Sequence, residues 1–214
     1  MNKIIKNTLI LFAITLVAGF GLGFVYNVTS DARAKQEEKT KLEAYKSVMN
    51  QMESFDEVVI DSTKAADYIK NLVKKNESDN NISTIKAFNA DIDNVILAKD
   101  SSGNELGYIV TVTDNEAYDG SLQMTVGVKK DGTVTGISFL SLSETPGLGM
   151  KAKDDSFKNQ FNNKKADFFE YKKSGATADN EINAISSATI TSNAVTHGVN
   201  AAVYCVKYIV GGGK

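Results

Sequence analysis

The sequence has very few of the residues that most often carry chemistry or cross-links in proteins. Its 214 residues include one Pro, one Cys, one His and no Trp. A single cysteine excludes an intrachain disulfide, a CxxC pair and a thiolate cluster, and a single histidine excludes an HExxH-type zinc site. A Ser-His-Asp triad would have only one possible base. Demanding chemistry in this chain must therefore rest on carboxylates or on a borrowed cofactor, and we expect no metal site.

An excess of charge of one sign is also missing. The chain has 24 Lys and Arg against 26 Asp and Glu, for a formal net charge of −2. Without a basic excess, nucleic-acid binding loses its usual electrostatic driving force, so no nucleic-acid partner is expected. The length corresponds to one large domain or two small ones with a sizeable core.

Charge is absent altogether from one long segment near the start. Residues 7–30 contain no charged side chain, and their centre, Leu9 to Val25, is almost entirely apolar. As a helix, this segment is long enough to cross a bilayer core of ~30 Å. Lys3 and Lys6 precede it, whereas its other flank is mixed, so the positive-inside rule places the N-terminus in the cytoplasm. We predict a single-pass anchor in the cell membrane over residues 1–30.

A cleaved signal peptide is the alternative interpretation of the same segment. Ala32-Arg33-Ala34 supplies an A-x-A pattern, but it lies well beyond the apolar run. That run also exceeds the ~7–15 residues of an ordinary signal-peptide apolar region. No cysteine follows it closely, which excludes a lipoprotein anchor. We therefore favour a retained anchor.

The rest of the chain predicts an α+β fold, with a mostly antiparallel sheet and flanking helices. Apolar residues at helical spacing predict an amphipathic stalk helix over 31–56, followed by an extracytoplasmic domain over 57–214. Within that domain we predict a helix over 63–75 with Ser62 as its N-cap. The other predicted helices and loops are a polar loop over 76–84, a short helix over 156–161 and a final helix over 192–210.

Short segments rich in Val, Ile and Thr predict the strands of the sheet. These segments are 95–98, 106–113, 122–128, 134–142 and 166–171. Asp100-Ser-Ser-Gly and Lys130-Asp-Gly separate successive pairs of strands, and such sequences form tight hairpins.

The segment 143–151, Ser-Glu-Thr-Pro-Gly-Leu-Gly-Met-Lys, does not look like scaffold. It holds the only proline of the chain, followed by two glycines. Proline fixes its own φ, and glycine adopts backbone conformations that other residues resist. Such a loop can bring backbone N–H groups close to a ligand. An ordinary strand-to-helix turn explains the same composition equally well.

A second unusual segment lies immediately before the final helix. Five hydroxyl residues fall within the seven positions from Ser186 to Ser192. The start of a helix offers unpaired N–H groups and partial positive charge, which suit a phosphate. N-capping by Ser192 or Thr191 is the simpler alternative, and composition alone favours it.

Four blocks, in this order, resemble one known family. They are Tyr118-Asp-Gly-Ser-Leu-Gln-Met-Thr-Val-Gly-Val, Asp131-Gly-Thr-Val-Thr-Gly-Ile, Glu144-Thr-Pro-Gly-Leu-Gly and Ser186-Ser-Ala-Thr-Ile-Thr-Ser. Together they resemble the FMN-binding domain of the G subunit of the Rnf electron-transport complex. That protein is related to the C subunit of the sodium-pumping NADH:quinone reductase. The resemblance spans roughly residues 91–206, and the N-terminal anchor matches as well.

The resemblance implies a covalently bound FMN. In that family FMN is esterified through its phosphate to the threonine that ends a Ser-Gly-Ala-Thr motif, and a separate flavin transferase attaches it. The matching residue is Thr189, within Ser186, Ser187 and Ala188, and Thr191 is a less favoured acceptor.

Two departures and one decoy affect this assignment. Ser187 stands where the motif has glycine, and Asn183 stands where the family usually has an acid, a loss that would weaken recognition by the transferase. A literal Ser-Gly-Ala-Thr also occurs at 174–177, but a polar segment follows it. Only Thr189 is followed by the family's Ile-Thr-Ser and an apolar helix, so we favour it over Thr177.

The same resemblance assigns the pocket around the flavin to the proline-containing loop. The implied pocket residues are Glu144, Thr145, Gly147, Leu148 and Gly149. We expect the N–H groups of Leu148 and Gly149 near the flavin, and Lys151 to balance phosphate charge.

The remaining isolated residues have ordinary explanations. We interpret His197 as a packing or solvent residue, Cys205 as a small core residue and Asp154-Asp155 as the start of a helix. Tyr118 could approach the flavin, but strand packing explains it equally well.

The resemblance implies a membrane-anchored electron-relay subunit of an ion-translocating ferredoxin:NAD oxidoreductase. No autonomous catalysis and no catalytic residue are expected, and the implied partners are membrane and iron–sulfur subunits. A single helix without charge cannot form an ion path, so ion coupling would reside in those partners. The alternatives are the equivalent subunit of the quinone-linked sodium pump, a stand-alone extracellular flavin relay, and a non-redox binding module.

Overall fold

The computed structural model describes residues 2–80, 89–173 and 175–213. The chain divides into two compact units, Met1–Leu42 and Glu43–Lys214. The last part of the predicted 76–84 loop and the first residue of the 174–177 decoy lie outside the described residues.

The first unit contains an unusually apolar helix. Helix α1, Lys3–Val28, has 26 residues and none of them is buried. At 1.5 Å per residue it is about 39 Å long, more than the ~30 Å core of a bilayer. At its end, the Arg33 guanidinium lies 3.9 Å from the centre of the Tyr26 ring and donates a hydrogen bond to the Tyr26 carbonyl. By length and composition, α1 can cross a membrane.

The predicted stalk helix is shorter than expected. Helix α2 covers Ser30–Val48, and the chain then turns and forms strand β1, Ser54–Glu57, instead of continuing as a helix through position 56. The Met52 N–H donates to the Met49 carbonyl in this turn. Both methionines are buried, so their apolar side chains belong to the core of the second unit and do not extend a helical stripe.

A six-stranded antiparallel sheet forms the frame of the second unit, which confirms the predicted fold class. Its strands follow one another in space in chain order, as in a meander. After β1 they are β2 Ala90–Lys99, β3 Glu105–Ala117, β4 Gly120–Val128, β5 Thr133–Ser141 and β6 Lys164–Lys165. The two predicted hairpin turns join β2 to β3 and β4 to β5, and the Asp100 side chain accepts the N–H groups of Ser102 and Asn104.

The predicted strand over 166–171 is mostly wrong. Only its end belongs to a strand, β7 at Glu170–Lys172, which pairs in parallel with β8 at Glu181–Asn183. The Asn200 side-chain amide accepts the Phe169 N–H at 2.7 Å and donates to the Phe169 carbonyl at 2.9 Å. Because this buried amide satisfies both backbone groups, residue 169 needs no strand partner.

Helix α3, Ser62–Asn80, differs from its prediction at both ends. Its N-cap is Asp61, whose carboxylate accepts the N–H groups of Thr63 and Lys64, and not Ser62. At the other end the helix runs into the predicted polar loop, where the Asn76 side chain donates to the Tyr204 hydroxyl at 2.7 Å.

Two further helices complete the unit. Asp154 precedes the short α4, Asp155–Lys158, as predicted for this acidic pair, and 3₁₀ turns at Gly149–Lys153 and Asn159–Phe161 flank it. Helix α5, Thr189–Val210, begins three residues before its prediction. Cys205 is a core residue of α5 as expected, and burial raises the pKa of its thiol to about 12.

The central strands are buried on both faces. Alternate residues of a strand face opposite sides of a sheet. Val110 and Val112 of β3 belong to the large core that includes α5, whereas Ile109 belongs to a smaller cluster with Tyr45 and Met52. The end of α2 and the turn after it therefore cover one face, and α5 covers the other.

A pair of glycines permits the close approach of α2 to the sheet. Gly127 and Gly136 are partners across β4 and β5. A Cβ on Gly127 would lie 2.7 Å from the Val48 carbonyl oxygen, whereas on Gly136 it would lie 3.3 Å from the Asn162 side chain and 3.7 Å from Val48 Cα. Only the first contact requires the backbone to move.

We expect Gly127→Ala to lower the free energy of unfolding by about 1–3 kcal/mol, as overpacking does in other cores. Gly136→Ala is the matched control and should cost less, because the flexible Asn162 side chain can move away. Chemical denaturation of the full chain in detergent measures both. An equal cost at the two positions would contradict this account of the packing.

Candidate functional site

A cleft of about 500 Å³ brings together segments that lie far apart in the sequence. Its volume is in the range of small-molecule and cofactor sites, roughly 300–1,000 Å³. The lining comes from the tip of the β3–β4 hairpin, the proline-containing loop and the start of α5. The lining residues are Tyr118, Glu144, Thr145, Leu148, Gly149, Ser187, Ala188, Thr189, Ile190 and Thr191. Both unusual segments of the sequence therefore contribute to one site.

The start of α5 opens onto this cleft without a side-chain cap. Ala188 is the N-cap residue, so the predicted capping by Ser192 or Thr191 is wrong. The Ser192 hydroxyl instead points back along the chain, accepting the Ile185 N–H and donating to the Ala188 carbonyl, both at 2.9 Å. The first N–H groups of a helix have no intrahelical acceptor, and they carry partial positive charge. The cleft thus has a boundary suited to an anion.

Ser187 has an uncommon backbone conformation. Its φ is +62°, in the left-handed region. That region costs an L-residue roughly 1–2 kcal/mol, and glycine adopts it without this cost. The position at which the motif of the resembled family has glycine is therefore one where the turn before α5 requires a glycine-like conformation.

Glu144 is the buried charged group of the cleft. Its side chain is only 7 % exposed. Oε1 accepts the Tyr118 N–H at 2.9 Å, which ties the loop to the β3–β4 hairpin. Oε2 is buried and has no hydrogen-bond donor within the described residues. Because a buried acceptor without a donor is costly, the site is suited to a ligand that donates a hydrogen bond here.

Gly149 allows the loop to contact both sides of the site. A Cβ at this position would lie 2.5 Å from Glu144 Oε2 and 2.7 Å from Thr191 Oγ1. The carboxylate and the hydroxyl therefore converge on a backbone that has no side chain. Any larger residue would displace one of these two polar groups.

Several predicted site residues lie elsewhere. Leu148 lines the cleft, and its N–H donates to the Thr145 carbonyl at 3.1 Å within the loop. Gly147 forms the turn with a φ of +76° and is not among the lining residues. Ser186 and Lys151 are exposed and also lie outside the lining.

Two lining residues were not among the predicted pocket residues, although an approach of Tyr118 to the flavin was left open. Tyr118 is 68 % exposed at the tip of the β3–β4 hairpin, and Ile190 is 51 % exposed in the first turn of α5. An aromatic side chain directly before Asp-Gly in a tight hairpin is the signal that identifies the first, since such a turn projects into solvent. Nothing in the local sequence distinguishes Ile190 from the apolar face of α5.

The decoy motif has a different local structure. Glu181 Oε2 accepts the Thr177 N–H at 2.7 Å and the Ala178 N–H at 3.1 Å, and the Thr177 hydroxyl lies 3.4 Å from the same oxygen. These amide hydrogen bonds lower the pKa of Glu181 to about 2. Thr177 is thus part of a turn organised around a carboxylate, outside the cleft lining.

The fold and cleft define a class of protein. Residues 117–204 match the FMN-binding domain family, and this range contains every lining residue of the cleft. Over 203 residues the chain is 32% identical to the G subunit of the Na⁺-translocating ferredoxin:NAD⁺ oxidoreductase complex of Acetobacterium woodii, covering 94% of this chain and 90% of that protein. The chain belongs to this family of G subunits, the family that the sequence blocks resembled.

Two other similarities are more partial. The chain is 43% identical over 110 residues to the G subunit of the proton-translocating ferredoxin:NAD⁺ oxidoreductase complex of Clostridium ljungdahlii, covering 51% of this chain and 59% of that protein. Among solved structures, it is similar to the C subunit of the Na⁺-translocating NADH-quinone reductase of Parabacteroides distasonis. That similarity has a TM-score of 0.45 and 27% identity, covering 54% of this chain and 60% of the other.

The left-handed conformation at position 187 leads to a stability prediction. We expect Ser187→Gly to raise the free energy of unfolding by about 1 kcal/mol, because glycine relieves the left-handed strain. Ser186→Gly is the control, since Ser186 has no positive φ and should gain nothing. Denaturant titration of both variants checks this. A gain at 186 equal to that at 187 would contradict it.

Proposed function

We propose that this chain carries FMN as a phosphoester on Thr189 and relays electrons within an ion-translocating ferredoxin:NAD oxidoreductase complex of the Rnf type. The observation that supports this most is the cleft itself, which combines the start of α5 with the loop around Glu144. Membership of the G-subunit family supports the same role.

The local structure favours Thr189 over the other candidate threonines. Thr189 is partly exposed and lines the cleft at the first residue of α5. Thr191 is only 1 % exposed and packs beside Gly149, so its hydroxyl is poorly accessible to a transferase. Thr177 is engaged by Glu181 in another loop. A phosphate on Thr189 would lie beside the unpaired N–H groups of the helix start.

Attachment of the flavin requires an external enzyme. The bond formed joins Thr189 Oγ to phosphorus, while the hydroxyl loses its proton and the phosphoryl donor held by the transferase releases its leaving group. Asn183, at the usually acidic position, donates its N–H to the Gln160 side chain and accepts the Ala176 N–H. This asparagine is therefore held in place and presents an amide where an acid is usual.

The cleft residues would bind and orient the cofactor. Glu144 Oε2 is available to accept a hydrogen bond from the bound group, and Gly149 leaves space for it. Tyr118, Leu148 and Ile190 offer exposed apolar surface at the mouth, suited to contact with a flat aromatic ring. When bound, FMN supplies the electron-transfer chemistry, for which the chain has no group of its own.

The anchor and the charge pattern support an extracytoplasmic position for the flavin domain. Lys3 and Lys6 lie at the start of α1, before its uncharged stretch, so the positive-inside rule puts the N-terminus in the cytoplasm and the flavin domain on the other side. We retain the division into an anchor over 1–30, a stalk over 31–56 and a domain over 57–214, with the helical part of the stalk ending at Val48. A covalent tether would keep the cofactor from being lost there. Membrane and iron–sulfur partner subunits would supply electrons and the ion path.

We expect Thr189→Ala to abolish covalent flavin, because the hydroxyl that forms the ester is gone. The full chain is co-expressed with a flavin transferase, and flavin fluorescence is read on a denaturing gel together with intact mass. Thr177→Ala is the matched control and should remain fluorescent. A dark Thr177 variant, or a fluorescent Thr189 variant, would overturn the assignment.

The same preparation distinguishes the alternative functions. A non-redox binding module would show no flavin after denaturation. Copurification with membrane and iron–sulfur subunits supports an Rnf-type complex, whereas isolation as a single flavinylated chain would indicate a stand-alone relay. Association with quinone-reductase subunits would indicate the equivalent subunit of the sodium pump.

A further inference from the structure

A group of ionisable side chains lies in the core between β3 and α5, away from the cleft lining. Asp114 is 0 % exposed and His197 is 1 % exposed. His197 Nδ1 lies 3.6 Å from Glu116 Oε2, and Asp114 Oδ1 accepts the Glu116 N–H at 2.9 Å. His197 is thus a packing residue, in keeping with one of its two predicted explanations, and it lies against the carboxylate of Glu116.

Two carboxylate oxygens of this group lack hydrogen bonds. Asp114 Oδ2 and Glu116 Oε2 are buried, and neither has a donor in the part of the chain that the structure describes. Both are acceptors when ionised, and a proton on one carboxyl turns it into a donor. Burial raises the pKa of Asp114 to about 7, and the charges of Glu116 and Asp91 add to this effect. A proton on one of these carboxyl groups would supply the donor that neither oxygen has among the described residues.

Both elements connect the group to the cleft. On α5, Thr189, Asn193 and His197 are spaced four residues apart and follow one side of the helix. Thr189 and His197 are therefore about 12 Å apart along the helix axis. On the other side, Glu116 is two residues before the lining residue Tyr118, roughly 7 Å along an extended chain. Charge added in the cleft acts on the group at these distances through a poorly screened core.

We propose that Asp114, Glu116 and His197 form a proton-holding cluster that takes up a proton when negative charge is added to the cofactor in the cleft. This inference rests on the proposed FMN function. The electron passes from the redox donor to the cofactor and does not enter the cluster. The proton comes from solvent, remains on a carboxylate of the cluster and returns to solvent when the electron leaves.

The surroundings of Asp114 determine the direction of the effect. The ionisable groups that act on it are Glu116 on its own strand and Asp91 on β2, and its partner on β4 is the apolar Leu122. His197 on α5 lies against Glu116. Added negative charge disfavours the ionised carboxylate, so protonation increases on reduction. Since the pKa of Asp114 is about 7, this uptake falls near neutral pH.

A flavin-free measurement tests the cluster by itself. The pKa of Asp114 is about 7 in the folded state and about 3.9 in the unfolded state. Its contribution to the free energy of unfolding is therefore fully present below about pH 3.9 and is lost as the pH rises through about 7. The full chain, expressed without a transferase, should lose stability between about pH 4 and pH 7, and Asp114→Asn should remove this loss. Asp93→Asn, at an exposed position on β2, is the control and should retain it. An unchanged pH dependence in Asp114→Asn would overturn the proposal.

A redox titration of the flavin-loaded chain tests the coupling. The midpoint potential should fall with pH around neutrality in the wild type and in Asp93→Asn, and this fall should be shallower in Asp114→Asn. Glu116→Gln is a second variant at a half-buried position, for the case in which the Asp114 variant does not fold. Equal slopes in the wild type and in folded cluster variants would overturn the proposal. Absence of any covalent flavin would instead refute the proposed function, and the flavin-free result would stand independently.

Discussion

The packing of α5 across the sheet is the constraint on which the rest of the domain depends. Every residue from Ala194 to Val206 is buried. A helix enclosed along this length cannot rotate or slide without opening cavities in a close-packed core. Its first turn, with Thr189, is therefore held in a fixed position beside the β3–β4 hairpin and the loop around Glu144. Asn200, in the middle of the helix, fixes the backbone at Phe169 in the same way.

Unfavourable local features are concentrated around the cleft. Ser187 adopts a left-handed conformation, and Glu144 buries an oxygen that lacks a donor within the described residues. Each of these costs stability in the ligand-free chain, and the surrounding packing must offset that cost. Such concentrations are typical of binding sites, where the geometry is adapted to a ligand more than to the stability of the chain alone. The same reasoning applies to Asp114, whose Oδ1 accepts the Glu116 N–H while its buried Oδ2 has no donor within the described residues.

Predictions from sequence were most accurate where local patterns decide the structure. The alternation of Val, Ile and Thr and the Asp-x-x-Gly turn identified the central strands, because side-chain period and turn chemistry are local properties. The predicted stalk helix is wrong from Met49 onward, because the apolar side chain of Met49 fits a helical stripe and a buried turn equally well. The strand over 166–171 failed because Asn200, far along the chain, satisfies the backbone at Phe169. Tertiary contacts of this kind leave no mark in the local sequence.

The sequence by itself determined the class of protein, the membrane-length helix and the two segments that carry the site. It did so because these features can be recognised from local composition alone. They are a long uncharged apolar run, a Pro-Gly-x-Gly loop and a hydroxyl cluster before an apolar helix. Only the tertiary structure decided that Glu144 and Thr191 converge on Gly149, that Tyr118 joins the cleft, and that His197 of α5 lies against Glu116 of β3. These are contacts between segments distant in the chain, and their formation depends on sheet register and on the packing of α5, which no local pattern specifies.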